Sequence, residues 1–272
     1  MVYHLANKFG SYRNAIAVVG CGGTGGFAAE GICRLLAGRT VPKQLVLIDG
    51  DRVEERNLGR QNFYPEDLGN FKAQALAERL ARRYRLPVAY SISPLEKKER
   101  EYERGPLTGC ALVIGCVDNA PARAAIVTHI TLGHWWLDAG NGAEFGQVLI
   151  GNARAEAMGR RDLAPFDQEK GLCHALPLPT LVRPELLVPA PRPRASCAAA
   201  VAAGEQGPTI NQAMAVLVVE AVRLLLEGSL TWWQGYLELN PLGVRTVQAT
   251  PEGLARLIGI KEEKLLVRRE RR

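Results

Sequence analysis

The 272-residue chain contains no Cys-x-x-Cys pair, the usual mark of a zinc ribbon. Its six cysteines, Cys21, Cys33, Cys110, Cys116, Cys173 and Cys197, are scattered over the whole length. A disulfide framework belongs to shorter, secreted chains, so none is expected here. The first ten residues are polar and carry no apolar signal core. A reduced, cytoplasmic protein is the expectation. The longest apolar stretch, residues 213–226, is broken by Glu220 and Arg223 and does not read as a membrane span. The 28 glycines and 16 prolines follow no period, which excludes collagen-like and other simple repeats. A large excess of one charge is also missing. The net charge is +6, and half of it lies in the last twelve residues, so no nucleic-acid partner is indicated.

What is present suits a folded core. The chain is 47% hydrophobic and 23% charged, at a length that fits one large α/β domain or two small ones. Short apolar runs at residues 15–19, 44–48, 88–92, 111–116, 135–139 and 146–150 read as strands. Residues 25–36 and 72–84 read as helices between them, and Pro121 marks a further helix start. This alternation predicts a Rossmann-like, doubly wound, mostly parallel sheet. Periodicity is lost over residues 152–196, which hold seven of the sixteen prolines. It returns in a helix over 210–226, followed by an antiparallel strand pair at 233–239 and 244–249. Trp135-Trp136 and Trp232-Trp233 read as packing residues.

Three constellations carry chemistry. Gly20-Cys21-Gly22-Gly23-Thr24-Gly25-Gly26 follows a strand and opens a helix. Glycines let backbone approach a phosphate, and a helix N-terminus offers free N–H groups. A tight turn without a ligand is the plainer alternative. Asp49 closes the second strand, where a ribose-binding acid belongs in a dinucleotide fold. The following stretch, Asp51 to Gln61, contains Asn57-Leu58-Gly59-Arg60-Gln61. A dinucleotide does not need that set, whereas three charged phosphates need cationic, bidentate partners. Lys72 adds a point charge, although either cation alone could be an ordinary surface residue. Last, Cys116-Val117-Asp118-Asn119-Ala120-Pro121-Ala122-Arg123 lies at a strand's C-terminal end, where open α/β sheets place ligands. Asp118 can hold Mg²⁺ against phosphate oxygens. It could instead be the N-cap of the helix at Pro121.

Taken together, Gly20-x-Gly-Gly-x-Gly, the Asp49-x-Asp to Asn57-Leu-x-Arg-Gln61 block, Gly69-x-x-Lys72-Ala73 and Asp118-Asn119-x-x-x-Arg123 resemble the ThiF/MoeB/HesA superfamily. That superfamily includes the ubiquitin-activating enzymes. Within it, the glycine loop, the Asn-Leu-Gly-Arg-Gln block and Ser196-Cys197 are similar to the ThiF-like proteins of PRTRC gene systems. The resemblance implies an enzyme that adenylates, at the expense of ATP, the C-terminus of a ubiquitin-like or ThiS-like β-grasp protein, and that forms a homodimer. Asp49 would hold the ribose, with Gly20, Gly22, Gly23, Gly25 and Asp51 around the nucleotide. Asn57, Arg60 and Lys72 would face the triphosphate, with Gln61 close by, and Asp118 would bind Mg²⁺. The implied segments are an adenylation core over 1–151, a Pro-rich crossover loop over 152–200, a completing helix and strands over 201–258, and a basic tail over 259–272. The zinc pairs common in bacterial relatives are missing, and Arg13 is the sole arginine before the first of these strands.

Cys197, in the small-residue setting Ala195-Ser196-Cys197-Ala198, is the candidate acceptor of an activated acyl group. Cys173, next to His174, is its competitor. Two further readings stand beside adenylation. One is an NAD(P)-dependent oxidoreductase on the same fold, the other a non-catalytic partner-docking module. Asn57, Arg60, Gln61 and Lys72 weigh against the first, and intact Asp118, Arg60 and Lys72 against the second.

Overall fold

Strands covered on both faces are apolar without interruption, and this chain places such runs at the centre of its sheet. The computed structural model describes residues 1–97, 105–158, 164–189 and 207–267. Its N-terminal half contains β1 (His4–Leu5), β2 (Ala15–Val19), α1 (Gly23–Leu36), β3 (Gln44–Ile48), α2 (Glu55–Leu58), α3 (Lys72–Tyr84), β4 (Val88–Ser91) and β5 (Cys110–Gly115). There follow α4 (Ala120–His129), β6 (Trp135–Asn141), β7 (Phe145–Gly151), β8 (Phe166–Asp167), β9 (Leu172–Cys173) and α5 (Pro179–Val182). The chain closes with α6 (Pro208–Leu226), β10 (Trp232–Leu239), β11 (Leu242–Gln248) and α7 (Pro251–Ile258).

Eight strands form one sheet in the order β11-β10-β7-β6-β5-β2-β3-β4. β4, β3, β2, β5 and β6 run parallel, and β7, β10 and β11 extend that edge antiparallel. The expected doubly wound sheet with a C-terminal antiparallel pair is the observed fold. Every residue of β2 and β5 is buried. Their side chains alternate between two cores, as a period of two requires. Ile16, Val18, Leu112 and Ile114 enter the larger core beneath α1, α3 and α6. Ala17, Val19 and Val113 meet Ile126 of α4 on the other face. Trp135 and Trp136 go to opposite cores and are fully buried, so both are packing residues.

The aperiodic Pro-rich segment contributes more to the core than its sequence suggests. β8 and β9 join β1 in a three-stranded sheet, and Phe166, Cys173, Leu176 and Leu178 are buried. Two-residue strands and a one-turn helix are too short to show a period. By length and composition, residues 209–226 of α6 would pass for a membrane-crossing helix. Here Ile210, Met214, Val218, Ala221, Val222 and Leu225 form a stripe at helical spacing buried in the larger core.

The connectivity creates a site. The chain leaves β2 for β3 and β4 on one side, then returns to β5 on the other. Loops after β2 and β5 therefore diverge, and a crevice opens beyond their carboxyl ends.

Candidate active site

That crevice is a cleft of about 730 Å³. Gly20, Gly22 and Gly23 line it, with Asp49, Asp51, Asn57, Arg60, Gln61, Lys72 and Asp118. Eleven cleft positions were expected from the sequence, and these ten are brought together. Gly25 is the exception. It lies behind the loop, packed on the Gly20 carbonyl too closely for any side chain. Gly20 has φ +89°, and a Cβ there would stand 2.6 Å from the Cys116 carbonyl oxygen, so only glycine turns the chain here. The first turn of α1 carries no acidic residue, and its N-cap, Gly22, makes no side-chain capping bond. Its own first turn therefore supplies no anion to its N–H groups and positive dipole end, which face the cleft.

Asp49 braces the glycine loop. Its Oδ2 accepts from the Cys21 N–H at 2.6 Å and its Oδ1 from the Asp51 N–H at 2.8 Å. Burial raises its pKa above the usual carboxylate value, against the pull of those two N–H groups. Each oxygen keeps a second lone pair for a hydroxyl. Lys72, at the head of α3, is nearly buried and pairs through Nζ with Asp51 at 2.9 Å. Asn57 caps α2 by accepting from the Glu54 N–H at 2.9 Å. Arg60 Nε and Gln61 Oε1 are buried without a hydrogen-bond partner. Such orphans cost about 1–3 kcal/mol each unless a ligand satisfies them.

Across the cleft, Asp118 is exposed. The N-cap of α4 is not Asp118 but Asn119, whose side chain accepts from the Ala122 N–H at 2.9 Å. Capping thus gives no account of Asp118. Among the described residues no cluster of three His, Cys, Asp or Glu could hold a metal by itself. A lone carboxylate suits Mg²⁺ only where a ligand brings phosphates, since that ion is commonly held by one or two carboxylates together with substrate phosphates.

Beneath Asp118, Arg123 Nε contacts both oxygens of Asp138 at 3.1 and 3.2 Å. Asp138 is wholly buried, and burial pushes its pKa up to about 6 against the pull of the guanidinium. Burial and the nearby Asp138 push the Cys116 thiol up to about 12.

The other cysteines sort by burial. Cys21, Cys33 and Cys110 are buried in the core, which suits the structural role their apolar sequence settings suggest, whereas Cys116, in a similar setting, is half-buried and lines the cleft. Cys173 is a correction to its candidacy as acyl acceptor. It pairs with Leu5 in the small sheet, is fully buried, and burial pushes its thiol up to about 12. A thiol that neither ionises near neutrality nor meets solvent is no acceptor. Cys197 lies outside the described residues.

Sequence reasoning passed over a second ring of polar residues: Thr24, Asn141, Asp138 and Asn211. Thr24 and Asn141 line the cleft, while Asp138 and Asn211 are fully buried behind it. The available signal was a polar residue inside an apolar run, such as Asp138 in Trp-Trp-Leu-Asp-Ala, or Asn211 at the head of an apolar helix.

The sequence profile of the ThiF family matches residues 11–252, most of the chain and every element around the cleft. The chain belongs to the ThiF family. Among curated proteins, this ThiF-family chain is 30% identical over 233 residues to ubiquitin-like modifier-activating enzyme 5 of Branchiostoma floridae. That match covers 81% of this chain and 52% of the relative. It is 33% identical over 151 residues to the enzyme of the same name from Dictyostelium discoideum, covering 50% and 38%. The chain thus spans between about a third and a half of the curated relatives it matches. Among solved structures, PaaA superposes with a TM-score of 0.55 at 18% identity, covering 87% of this chain and 64% of that one. E. coli MccB with ATP superposes with a TM-score of 0.53 at 13% identity, covering 87% and 64%. These two likenesses are of fold.

Proposed function

We propose that this ThiF-family protein is an adenylyltransferase that uses ATP to activate the C-terminal carboxylate of a small ubiquitin-like or sulfur-carrier protein. The observation that carries the proposal is the cation set on the glycine-loop side of the cleft. The orphaned Arg60 Nε and the nearly buried Lys72 line the same cleft as the head of α1, whose own first turn has no acidic residue. An arrangement of this kind suits a triphosphate better than the two phosphates of a dinucleotide. The names of the relatives support the same reading, as does MccB with ATP.

In the proposed reaction a carboxylate oxygen of the carrier attacks the α-phosphorus. The bond from that phosphorus to the bridging β-oxygen breaks, pyrophosphate leaves with the electron pair, and an acyl-adenylate forms. The protein aligns the two reactants and neutralises developing negative charge. Asp49 accepts from ribose hydroxyls, while Arg60, Lys72 and the α1 N–H groups meet the phosphates, with Asn57 and Gln61 beside them. Asp118 would hold Mg²⁺, which when bound offsets charge on the phosphate oxygens. The Cys197 thiolate then attacks the acyl carbon, AMP leaves, and a thioester remains. A homodimer and a cytoplasmic setting belong to the same proposal. ATP–pyrophosphate exchange that depends on a carrier with a free C-terminal carboxylate tests it. ATP binding without exchange would leave a docking module, and NAD binding in place of ATP an oxidoreductase.

A further inference from the structure

The head of α6 reaches the adenylation cleft through one buried side chain. Asn211, in the first turn of α6, has no exposed surface. Its Nδ2 donates to the Arg60 carbonyl oxygen at 3.1 Å, and its Oδ1 accepts from Asn141 Nδ2 at 3.2 Å. Asn141 Oδ1 in turn accepts from Thr24 Oγ1 at 3.2 Å. The Arg60 carbonyl can only accept, which fixes the orientation of the Asn211 amide. The same amide lies against the α-carbon of Gly23, where any Cβ would collide with it. A single group thus joins the glycine loop, the end of β6 and the Arg60 segment to a fourth element.

The packing around this amide leaves it no freedom to drift. Eight residues further along both helices, a Cβ on Gly31 of α1 would stand 2.5 Å from Val219 Cγ2 of α6. Gly23 with Asn211 and Gly31 with Val219 are matched at equal spacing. The two helices therefore run parallel and in register, with their heads level at the cleft. Sliding α6 would break the Arg60 contact and the glycine contacts together.

We propose that Asn211 is a positioning residue that sets the reach of Arg60 toward the ATP phosphates. It touches no ligand itself. It holds the backbone from which the Arg60 guanidinium projects, against the glycine loop that cradles the same phosphates. This rests on the ATP reading of the cleft. Asn211→Leu keeps the branched outline but removes the donor facing the Arg60 carbonyl, and unlike a buried carboxyl it cannot regain one by holding a proton. The loss of one buried hydrogen bond corresponds to about a tenfold weakening.

Calorimetry with ATP and with adenosine, on wild type, Asn211→Leu, Asn211→Ala, Arg60→Ala and the pairs of each Asn211 variant with Arg60→Ala, is the test. ATP affinity should fall about tenfold in Asn211→Leu, with adenosine affinity unmoved. In the Arg60→Ala background, which keeps the carbonyl but not the guanidinium, the same substitution should cost less than about threefold. Equal losses of ATP and adenosine, or a full loss in both backgrounds, would make Asn211 a packing residue and overturn the proposal. So would unchanged ATP affinity in a folded variant. If Asn211→Leu does not fold, Asn211→Ala carries the same comparison. A wild-type protein that binds ATP without pyrophosphate exchange overturns the adenylation reading alone, and one that binds no ATP overturns both.

Discussion

Removing the Arg123 guanidinium should produce a stability loss that depends on pH, because it leaves Asp138 buried alone. In the folded protein Asp138 titrates near 6 rather than at its ordinary 3.8. A carboxyl that holds its proton more tightly folded than unfolded costs stability as pH rises between those two values. At about pH 7.5 that cost is about 3 kcal/mol in the wild type, with Asp138 ionised against Arg123. In Arg123→Met the carboxyl has no cation and stays protonated, which at the same pH costs about 5 kcal/mol relative to the unfolded chain. The difference, about 2 kcal/mol, corresponds to a fall in Tm of roughly 4–8 °C for a domain of this size. At about pH 5 Asp138 is mostly protonated in both proteins, and both carry the same cost, roughly half of the wild-type cost near pH 7.5. The deficit should therefore shrink toward zero. Thermal unfolding followed by circular dichroism at the two pH values measures this. Arg123→Met/Asp138→Asn should regain most of the loss near pH 7.5, since no buried charge is left uncompensated. A deficit of the same size at both pH values, or a double variant no more stable than the single one, would refute the electrostatic account and leave lost packing of the Arg123 stem.

Asp118→Ala should fold normally and lose roughly a thousandfold or more in pyrophosphate exchange, as expected for a missing Mg²⁺ ligand at an exposed position. Near-wild-type exchange in the folded variant would remove Asp118 from the chemistry. Lys72→Ala should weaken ATP binding and spare adenosine, and calorimetry with both ligands distinguishes this from a fold defect caused by losing the Asp51 pair. Cys197→Ala should continue pyrophosphate exchange but form no reducing-agent-sensitive adduct with the carrier in mass spectrometry. An adduct on another cysteine, or none although the adenylate forms, would mean that Cys197 is no acceptor.

Much of the fold was legible because its signals are local. Residues 15–19, 44–48 and 72–84 carry their period and their stops in the sequence, and the structure places β2, β3 and α3 on the same residues. The cleft residues were legible for a related reason. Glycines that bring backbone close to phosphate, and polar residues just past strand ends, are tied to fixed points of a parallel sheet. Short elements were not legible. β8, β9 and α5 hold two to four residues each and form only because Phe166, Cys173 and Leu176 are buried by distant parts of the chain. Tertiary structure alone decided the contest between the cysteines as far as Cys173 is concerned, since burial sets a thiol's pKa and adjacency to His174 does not. It alone took the capping role from Asp118 and handed it to Asn119, a matter of one residue's backbone angles. And it alone joined Asn211 to Arg60, 151 positions apart, because a buried amide must find its partners wherever the packing of two helices brings them.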